Sequence, residues 1–583
     1  MVKQNVYRDK FILQLQGRDF INIIIIAITW IFALILVNPI GDFPLNDDWA
    51  YAESVKHLLE TGDFQLPGWA VANLLPQVLF GALFCLPFGF SFTALRFSTL
   101  TLGLIGIIAT YGLLKEVSHQ RIALIGALIV AVNPLYFALA NTFMTDVPHY
   151  AVTVLSLYFF VIGIKKNSLT TIVISVVIAV ISLLIRQTTI ALFAGYAIAY
   201  VVKNKAKIKS LIMAALLFVL LPAGVQLLFS AVFWPKNYGN YGVKEQEIVS
   251  QLVGADTSAI AQFAYFALCA LLYLGCFLLP WLLIVFALQS AGIKSQGRKI
   301  QVSLLLFLIT SVGVWLVVKQ TRMPLRGNVI NDWGIGPLTL RDTILSPPGT
   351  IPNYLAAFWI VVTIFSVVGA GLLLLFLVLS TIQLLTTKGI ANKRSLILLS
   401  NSTIFIYFLP LGISFFFDRY LILLLPLLMM MVLTTVGKIP QVKLDWKTSF
   451  VSWLIILFIG AFTVGTTHDY LSWNRIRWQA IENLIQEQQI SPRRIDGGFE
   501  FNGWYLYSSD YPVYKNRKAE IPWWWVEQDD YLVAFSPVAG YDVVKQYSLE
   551  NWLPFKFDRI LVLQKTDVAR LIANPNLDLE ERE

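Results

Sequence analysis

The chain is short of charge. Asp, Glu, Lys and Arg make up only 14% of its 583 residues, where a soluble domain carries about 25%. Mean hydropathy is +0.68, and an ordinary soluble enzyme is excluded. Histidine is scarce too: His57, His119, His149 and His468 are all there are, and none lie at zinc-ligand spacing. Cysteine offers no disulfide framework. Cys269 and Cys276 would sit about 10 Å apart along one helix, too far to bridge, and Cys85 stands alone in an apolar stretch, so all three read as core residues. The chain also lacks a Gly-rich phosphate loop and a Ser/His/Asp arrangement, so a nucleotide-sugar donor has no evident binding module. The net charge of +9 does not mean nucleic acid, because the basic residues fall in the gaps between apolar runs.

Those runs are what the chain has in abundance. Phe20–Val37, Leu211–Phe233, Ala261–Leu288 and Tyr354–Leu384 reach the roughly 20 residues needed to cross a bilayer. Asn38-Pro39-Ile40 after the first run offers no small-residue cleavage site, so that run reads as a retained helix. Basic clusters mark the cytoplasmic side. They are Lys3/Arg8/Lys10/Arg18, Lys115/Arg121, Lys165/Lys166, Lys203/Lys205/Lys207/Lys209, Lys294/Arg298/Lys299, Lys388/Lys393/Arg394 and Lys438/Lys443/Lys447. Successive clusters must be separated by an even number of crossings.

Between Arg18 and Lys115 there are three apolar stretches, Phe20–Val37, Val71–Phe88 and Ala94–Leu114, so one of them does not span. The middle one, broken by Pro76 and Pro87, is expected to lie along or dip into the outer surface. Residues 39–93 then form one external loop with surface helices. About thirteen spans remain, at 20–38, 94–114, 122–141, 147–164, 169–185, 188–202, 209–233, 260–289, 300–318, 354–385, 395–415, 419–437 and 449–467. The expected fold class is mainly α: a polytopic membrane helix bundle over residues 1–467, followed by a small C-terminal α/β extramembrane domain over 468–583. The odd count puts the N-terminus in the cytoplasm and the C-terminal domain outside, in a bacterial inner or plasma membrane.

This topology gathers the unusual polar residues on the external face. They are Asn46-Asp47-Asp48-Trp49-Ala50-Tyr51, Thr145-Asp146-Val147-Pro148-His149, Arg186-Gln187-Thr188, the loop Lys319–Pro352, and Asp418-Arg419-Tyr420. Ionisable groups at a membrane boundary are costly unless paired or wet, and are functional candidates by default. Each has a plainer reading. Asp47 and Asp48 suit the N-terminus of the helix running through Leu59, and Asp146 suits the N-terminus of the next span. Arg186 suits a structural pair, Arg419 an interfacial anchor, and His149 a polar helix end. Convergence favours function: two acidic sites and two arginines share one level around one cavity. Carboxylates can serve as general base or hold a divalent cation, and arginines suit a phosphate. That is the chemistry of a sugar arriving on a phosphorylated lipid.

The chain resembles the GT-C superfamily of integral-membrane glycosyltransferases, in the branch that includes protein O-mannosyltransferases and the aminoarabinose transferase of lipid A. The resemblance covers most of residues 10–440. It rests on Asp47-Asp48 with Tyr51 and the helix through Gly62-Asp63, on Leu86-Pro87-Phe88-Gly89 followed by Leu95-Arg96-Phe97-Ser98, on Met144-Thr145-Asp146-Val147-Pro148, and on Asp418-Arg419-Tyr420-Leu421 running into Leu425-Pro426-Leu427. It implies Asp47 as base or acceptor-orienting group, assisted by Asp48 and Asp146 through a divalent cation (Mg or Mn) held by Asp48 and Asp146. Arg186 and Arg419 would face the donor phosphate. Tyr51, His149, Lys319 and Arg322 complete the expected binding set. One departure is plain: where many relatives carry a Lys-Pro-Pro type segment, this chain has Leu66-Pro67-Gly68-Trp69, with no basic residue.

The expected function is transfer of a sugar from a polyprenyl-phosphate donor to a lipid, glycan or protein acceptor at the external face, with inversion. A transporter or flippase of lipid-linked sugars is the alternative; it predicts internal repeats and charges near the bilayer midplane. The basic loop Lys319–Pro352 reads as a lid over the lipid-linked substrate or as a solvated connector, and Trp234–Ser258 as a second gate. Beyond His468, residues 470–489 show helical spacing, and strands are expected at Ile495–Phe499, Tyr531–Ala534 and Ile560–Leu563. Trp523-Trp524-Trp525 suits a sugar contact, a membrane interface or a core.

Overall fold

A computed structural model describes residues 17–233, 254, 257–291, 295–345, 352–386, 391–413, 416–437, 446–507, 523–526, 528–553 and 557–566. Among these, ten helices are long and apolar enough to cross a membrane, or eleven if a bent pair counts as one span. All ten coincide with expected spans, and their outer faces are those of helices solvated by lipid. Phe20, Ile28, Phe32 and Ile35 on Gly17–Val37 are all exposed, which only an apolar solvent favours.

The other three expected spans depart from the simple picture. The span at 122–141 is bent by 60° between Gln120–Ala131 and Pro134–Ala140. Asn133 stops the first helix and caps the second, its side chain accepting the N–H groups of Leu135 and Tyr136, with Pro134 in the first turn. The expected spans 169–185 and 188–202 are the short helices Leu169–Ile185, 17 residues, and Ile190–Lys203, 14 residues. At 1.5 Å per residue these reach only about 26 and 21 Å. The non-spanning stretch of the first loop is the helix Leu75–Cys85, whose 11 residues reach about 16 Å, half the hydrocarbon thickness.

Two of the long helices cross backbone to backbone. Thr257–Ala291 meets Asn353–Thr386 at Gly275 and Gly369, and a Cβ added to Gly369 would lie 2.0 Å from the Gly275 carbonyl oxygen. Glycine at both positions is what lets them touch.

The last span is longer than expected. Trp446–Glu482 is one continuous helix of 37 residues, so the expected boundary between residues 467 and 468 falls inside it. Its C-terminal half carries polar residues, but Thr466, Thr467, Asp469, Asn474 and Arg477 are buried, because the C-terminal chain folds back around them. That chain builds a four-stranded sheet from β3 (Ile495–Asp496), β4 (Tyr531–Ala534), β5 (Tyr541–Ser548) and β6 (Arg559–Lys565), in the order β3-β4-β6-β5. β3 and β4 are parallel, and β6 runs antiparallel to both its neighbours. The expected first strand stops at Asp496, since Gly498 at φ +90° opens a helix at Phe499. The edge strand β5 was not anticipated, because its side chains are largely exposed and show no apolar alternation.

Two arginines fix the segment that leads from the first span to the first loop. Arg96 donates to the carbonyls of Pro39, Gly41 and Phe43, and Arg475 to those of Val37, Asn38 and Ile40. Six carbonyls of one extended strap are thereby satisfied by two side chains, one from the second span and one from the last.

Candidate active site

The strap delivers the chain to Asn46, at φ +59°, and then to the helix Asp48–Thr61. That helix ends at Gly62, at φ +76°, which returns its N–H to Leu58. Asp47 occupies the N-cap position, yet its side chain makes no capping bond. Instead Oδ1 accepts the indole N–H of Trp69 at 3.0 Å, and Oδ2 accepts both terminal N–H groups of Arg419 at 3.3 and 3.4 Å. The capping reading does not hold for Asp47.

Asp48 is turned the other way. It is buried, with Oδ1 accepting the Leu45 N–H at 2.6 Å and Oδ2 the Phe143 N–H at 3.0 Å. Burial pushes its carboxyl up to about 8 against the pull of those two amides and of Arg96. Asp48 therefore ties the first acidic turn to the second.

Asp146 opens the helix Asp146–Lys166, again without a capping bond. Its Oδ1 accepts from Arg186 at 2.6 Å, and its buried Oδ2 has no partner among the described residues. Arg186 sits at the turn between the two short helices, where a tight turn projects it beyond their ends. Its guanidinium lies 4.9 Å from the Tyr420 ring, and that of Arg419 lies 5.4 Å from the same ring. Tyr51, one turn into the first-loop helix, is buried within electrostatic reach of all four charged groups, Asp47, Arg419, Arg186 and Asp146. Burial first, and the two carboxylates with it, hold its phenol far above the ordinary tyrosine range. The result is one cluster in which two carboxylates alternate with two guanidiniums around a phenol.

Other expected members are placed elsewhere. His149 is buried, with Nε2 2.9 Å from the Thr189 hydroxyl, in a polar chain continuing to Ser182 and Thr153. Arg322 pairs with Asp332, and Lys319 is exposed. Neither touches the carboxylates of the cluster.

The loop that bears them is not a free flap. Its strands β1 (Ile330–Asn331) and β2 (Gly334–Ile335) are held by buried Asp418, which accepts the N–H groups of Val329 and Ile330. Its far end is tied to the C-terminal sheet through Asp342, which accepts from Phe535 and Ser536, and through Arg341 with Asp529. The second expected gate, Trp234–Ser258, falls almost entirely outside the described residues.

Sequence reasoning missed two residues. Trp69 registered only as the absence of a basic residue. Glu500 comes from the C-terminal chain, 454 positions from its partner Asn46, whose N–H it accepts at 3.1 Å. Its other oxygen takes the Thr339 hydroxyl at 2.7 Å and Arg477 at 2.8 Å. No local pattern announces either one.

The expected cation site does not fit this arrangement. Asp48 spends both oxygens on main-chain amides, while Asp47 and Asp146 each face a guanidinium. Among the described residues no group of three or more His, Cys, Asp or Glu side chains gathers in one place.

Residues 77–229 match a family model described as dolichyl-phosphate-mannose-protein mannosyltransferase. The matched stretch contains Asp146, His149 and Arg186. No curated protein matches the chain in sequence. Similar solved structures include the Archaeoglobus fulgidus oligosaccharyltransferase tethered with an acceptor peptide, at 15% identity and a TM-score of 0.42, covering 80% of this chain and 58% of that one. The chain thus spans little more than half the length of that relative. They also include ArnT from Cupriavidus metallidurans bound to undecaprenyl phosphate, at 14% identity and a TM-score of 0.37, covering 95% and 99% of the two chains. Likenesses at this level say nothing about the site. The family match likens residues 77–229 to the mannosyltransferases of that family, on a helix bundle that carries the acidic and basic motifs in the expected order.

Proposed function

We propose that the protein transfers a sugar from a polyprenyl-phosphate carrier to a hydroxyl or amine of a lipid, glycan or protein acceptor, at the external face of a bacterial inner or plasma membrane. In this reading residues 1–467 are the membrane catalytic domain, and residues 468–583 an external domain docked over it. The observation that carries the proposal is the cluster of Asp47, Asp146, Arg186 and Arg419 around Tyr51.

Its chemistry suits one displacement. The acceptor O–H or N–H attacks the anomeric carbon as Asp47 takes its proton, and the bond from that carbon to the phosphate oxygen breaks. The electron pair leaves with the polyprenyl phosphate. Arg186 and Arg419 neutralise the charge that gathers there. The contacts of Arg419 to Asp47, at 3.3 and 3.4 Å, are long for a charge-assisted pair. A donor phosphate can take over that guanidinium and leave Asp47 ionised beside the acceptor. The free Oδ2 of Asp146 is an acceptor for a substrate hydroxyl. One displacement at one face inverts the anomeric centre.

The test supplies purified protein with radiolabelled polyprenyl-phosphate sugars and a panel of acceptors, comparing wild type with Asp47→Asn. Loss of a general base lowers transfer by about 10²–10⁴-fold. Equal transfer by the variant sinks the role of Asp47. Transbilayer movement of the lipid with no transfer from any donor turns the reading to a flippase.

A further inference from the structure

We infer that Trp69 is the positioning residue of Asp47, and that the C-terminal domain sets its position by packing against the Trp69 ring. The inference rests on the proposed role of Asp47 as base. Asp47 has two protein partners, Trp69 on Oδ1 and Arg419 on Oδ2. If the donor phosphate draws Arg419 away, the indole N–H is the side-chain donor left to hold the carboxylate. A base freed on one oxygen and anchored on the other keeps its direction toward the acceptor.

Trp69 is itself fixed from outside the membrane bundle. Its ring centroid lies 5.3 Å from that of Trp525 at an interplanar angle of 86°, 6.0 Å from Phe499 and 6.3 Å from Tyr507. Trp49, next to the acidic pair, closes the cluster at 6.1 Å. Trp524 and Trp525 adopt φ +38° and +65°, the left-handed region that bulky residues seldom enter. Such conformations persist where the surroundings over-determine them, and they gather at functional sites. Here the conformation brings Trp525, buried, against the partner of Asp47. Trp525 therefore acts on the site through Trp69 and belongs to the core, with Trp524 packed against it.

The experiment uses the full-length protein in nanodiscs, with a polyprenyl-phosphate sugar that the wild type transfers. Trp69→Phe keeps the ring and deletes the N–H. Its kcat is expected to fall about tenfold, with the KM for the donor unchanged. The acid limb of its pH–rate profile should move up, because a carboxylate that loses a donor holds its proton more tightly. Trp525→Leu should move the limb in the same direction, and an unmoved limb overturns the part assigned to the C-terminal domain.

An unchanged kcat and an unmoved limb in Trp69→Phe, beside an inactive Asp47→Asn, overturn the inference and leave the base intact. If Asp47→Asn transfers like the wild type, the base reading fails by itself. A thermal double-variant cycle then decides the positioning contact. Tm losses for Trp69→Phe and Asp47→Asn that sum to more than the loss of the double variant support it, and additive losses overturn it.

Discussion

Asp47 and Asp48 are neighbours in sequence with opposite surroundings. One faces a guanidinium and an indole; the other is sealed among main-chain amides. The difference carries a pH signature. The carboxyl of Asp48 is raised from 3.8 to about 8, so between those values the folded protein holds a proton that the unfolded chain has released. By linkage, this share of stability is present in full below about pH 4 and is lost as pH climbs toward 8. The wild type should unfold at a lower temperature at pH 8.5 than at pH 5. Asp48→Asn should be destabilised at pH 5 by about 1–3 kcal/mol, through one mismatched amide, and should show a smaller drop between the two pH values. Thermal unfolding in detergent at both pH values checks this, and identical drops in the two proteins would refute the assignment.

The sequence distinguished Asp146, Arg186 and Arg419 because a charge at the end of an apolar run stands out. Only the family resemblance separated Asp47 from Asp48; nothing in the residues themselves did. Their difference lies in Trp69, Phe143 and Arg419, which reach them from 22, 95 and 372 positions away.

At the scale of the element, the spans were legible because lipid demands unbroken apolar length, and ten coincide with single long helices. What was not legible lies where polarity is buried by protein. The break at Asn133-Pro134 interrupts an otherwise apolar run, and the helix Trp446–Glu482 continues past the point where its composition turns polar. Helix pairing was equally hidden, since a glycine inside a span says nothing about what it meets. The crossing at Gly275 and Gly369 supplies the test. Gly369→Leu places a side chain where even a Cβ lies 2.0 Å from the Gly275 carbonyl, so the helices must separate. Overpacking of this kind costs about 1–3 kcal/mol or more. Gly313→Ala, whose nearest neighbour would be Val367 at 3.9 Å, is the matched control. A clear loss of Tm is expected in the first and none in the second. Equal behaviour of the two would mean that the close crossing does not exist in the membrane.

At the scale of the molecule, the question is what makes the bundle and the C-terminal chain one body. Glu500 answers most directly, for it joins three remote pieces. It accepts from Asn46 beside the acidic pair, from Thr339 in the long loop, and from Arg477 in the last helix. The Arg477–Glu500 pair is almost fully buried, at 0% and 1% side-chain exposure and 2.8 Å. Removing one partner of such a pair costs about 3–5 kcal/mol, because the other charge is left without compensation. Glu500→Ala should therefore free the first loop and the long loop together. The expected result is faster limited proteolysis around Asn46 and Thr339, along with weaker transfer. Replacing both partners, as in Glu500→Leu with Arg477→Met, removes the orphaned charge and should recover much of the lost Tm. It does not return the hydrogen bond to Asn46, so transfer should stay low while stability recovers. Recovery of both together would mean that Glu500 only holds the fold, and that the acidic pair finds its place without the C-terminal domain.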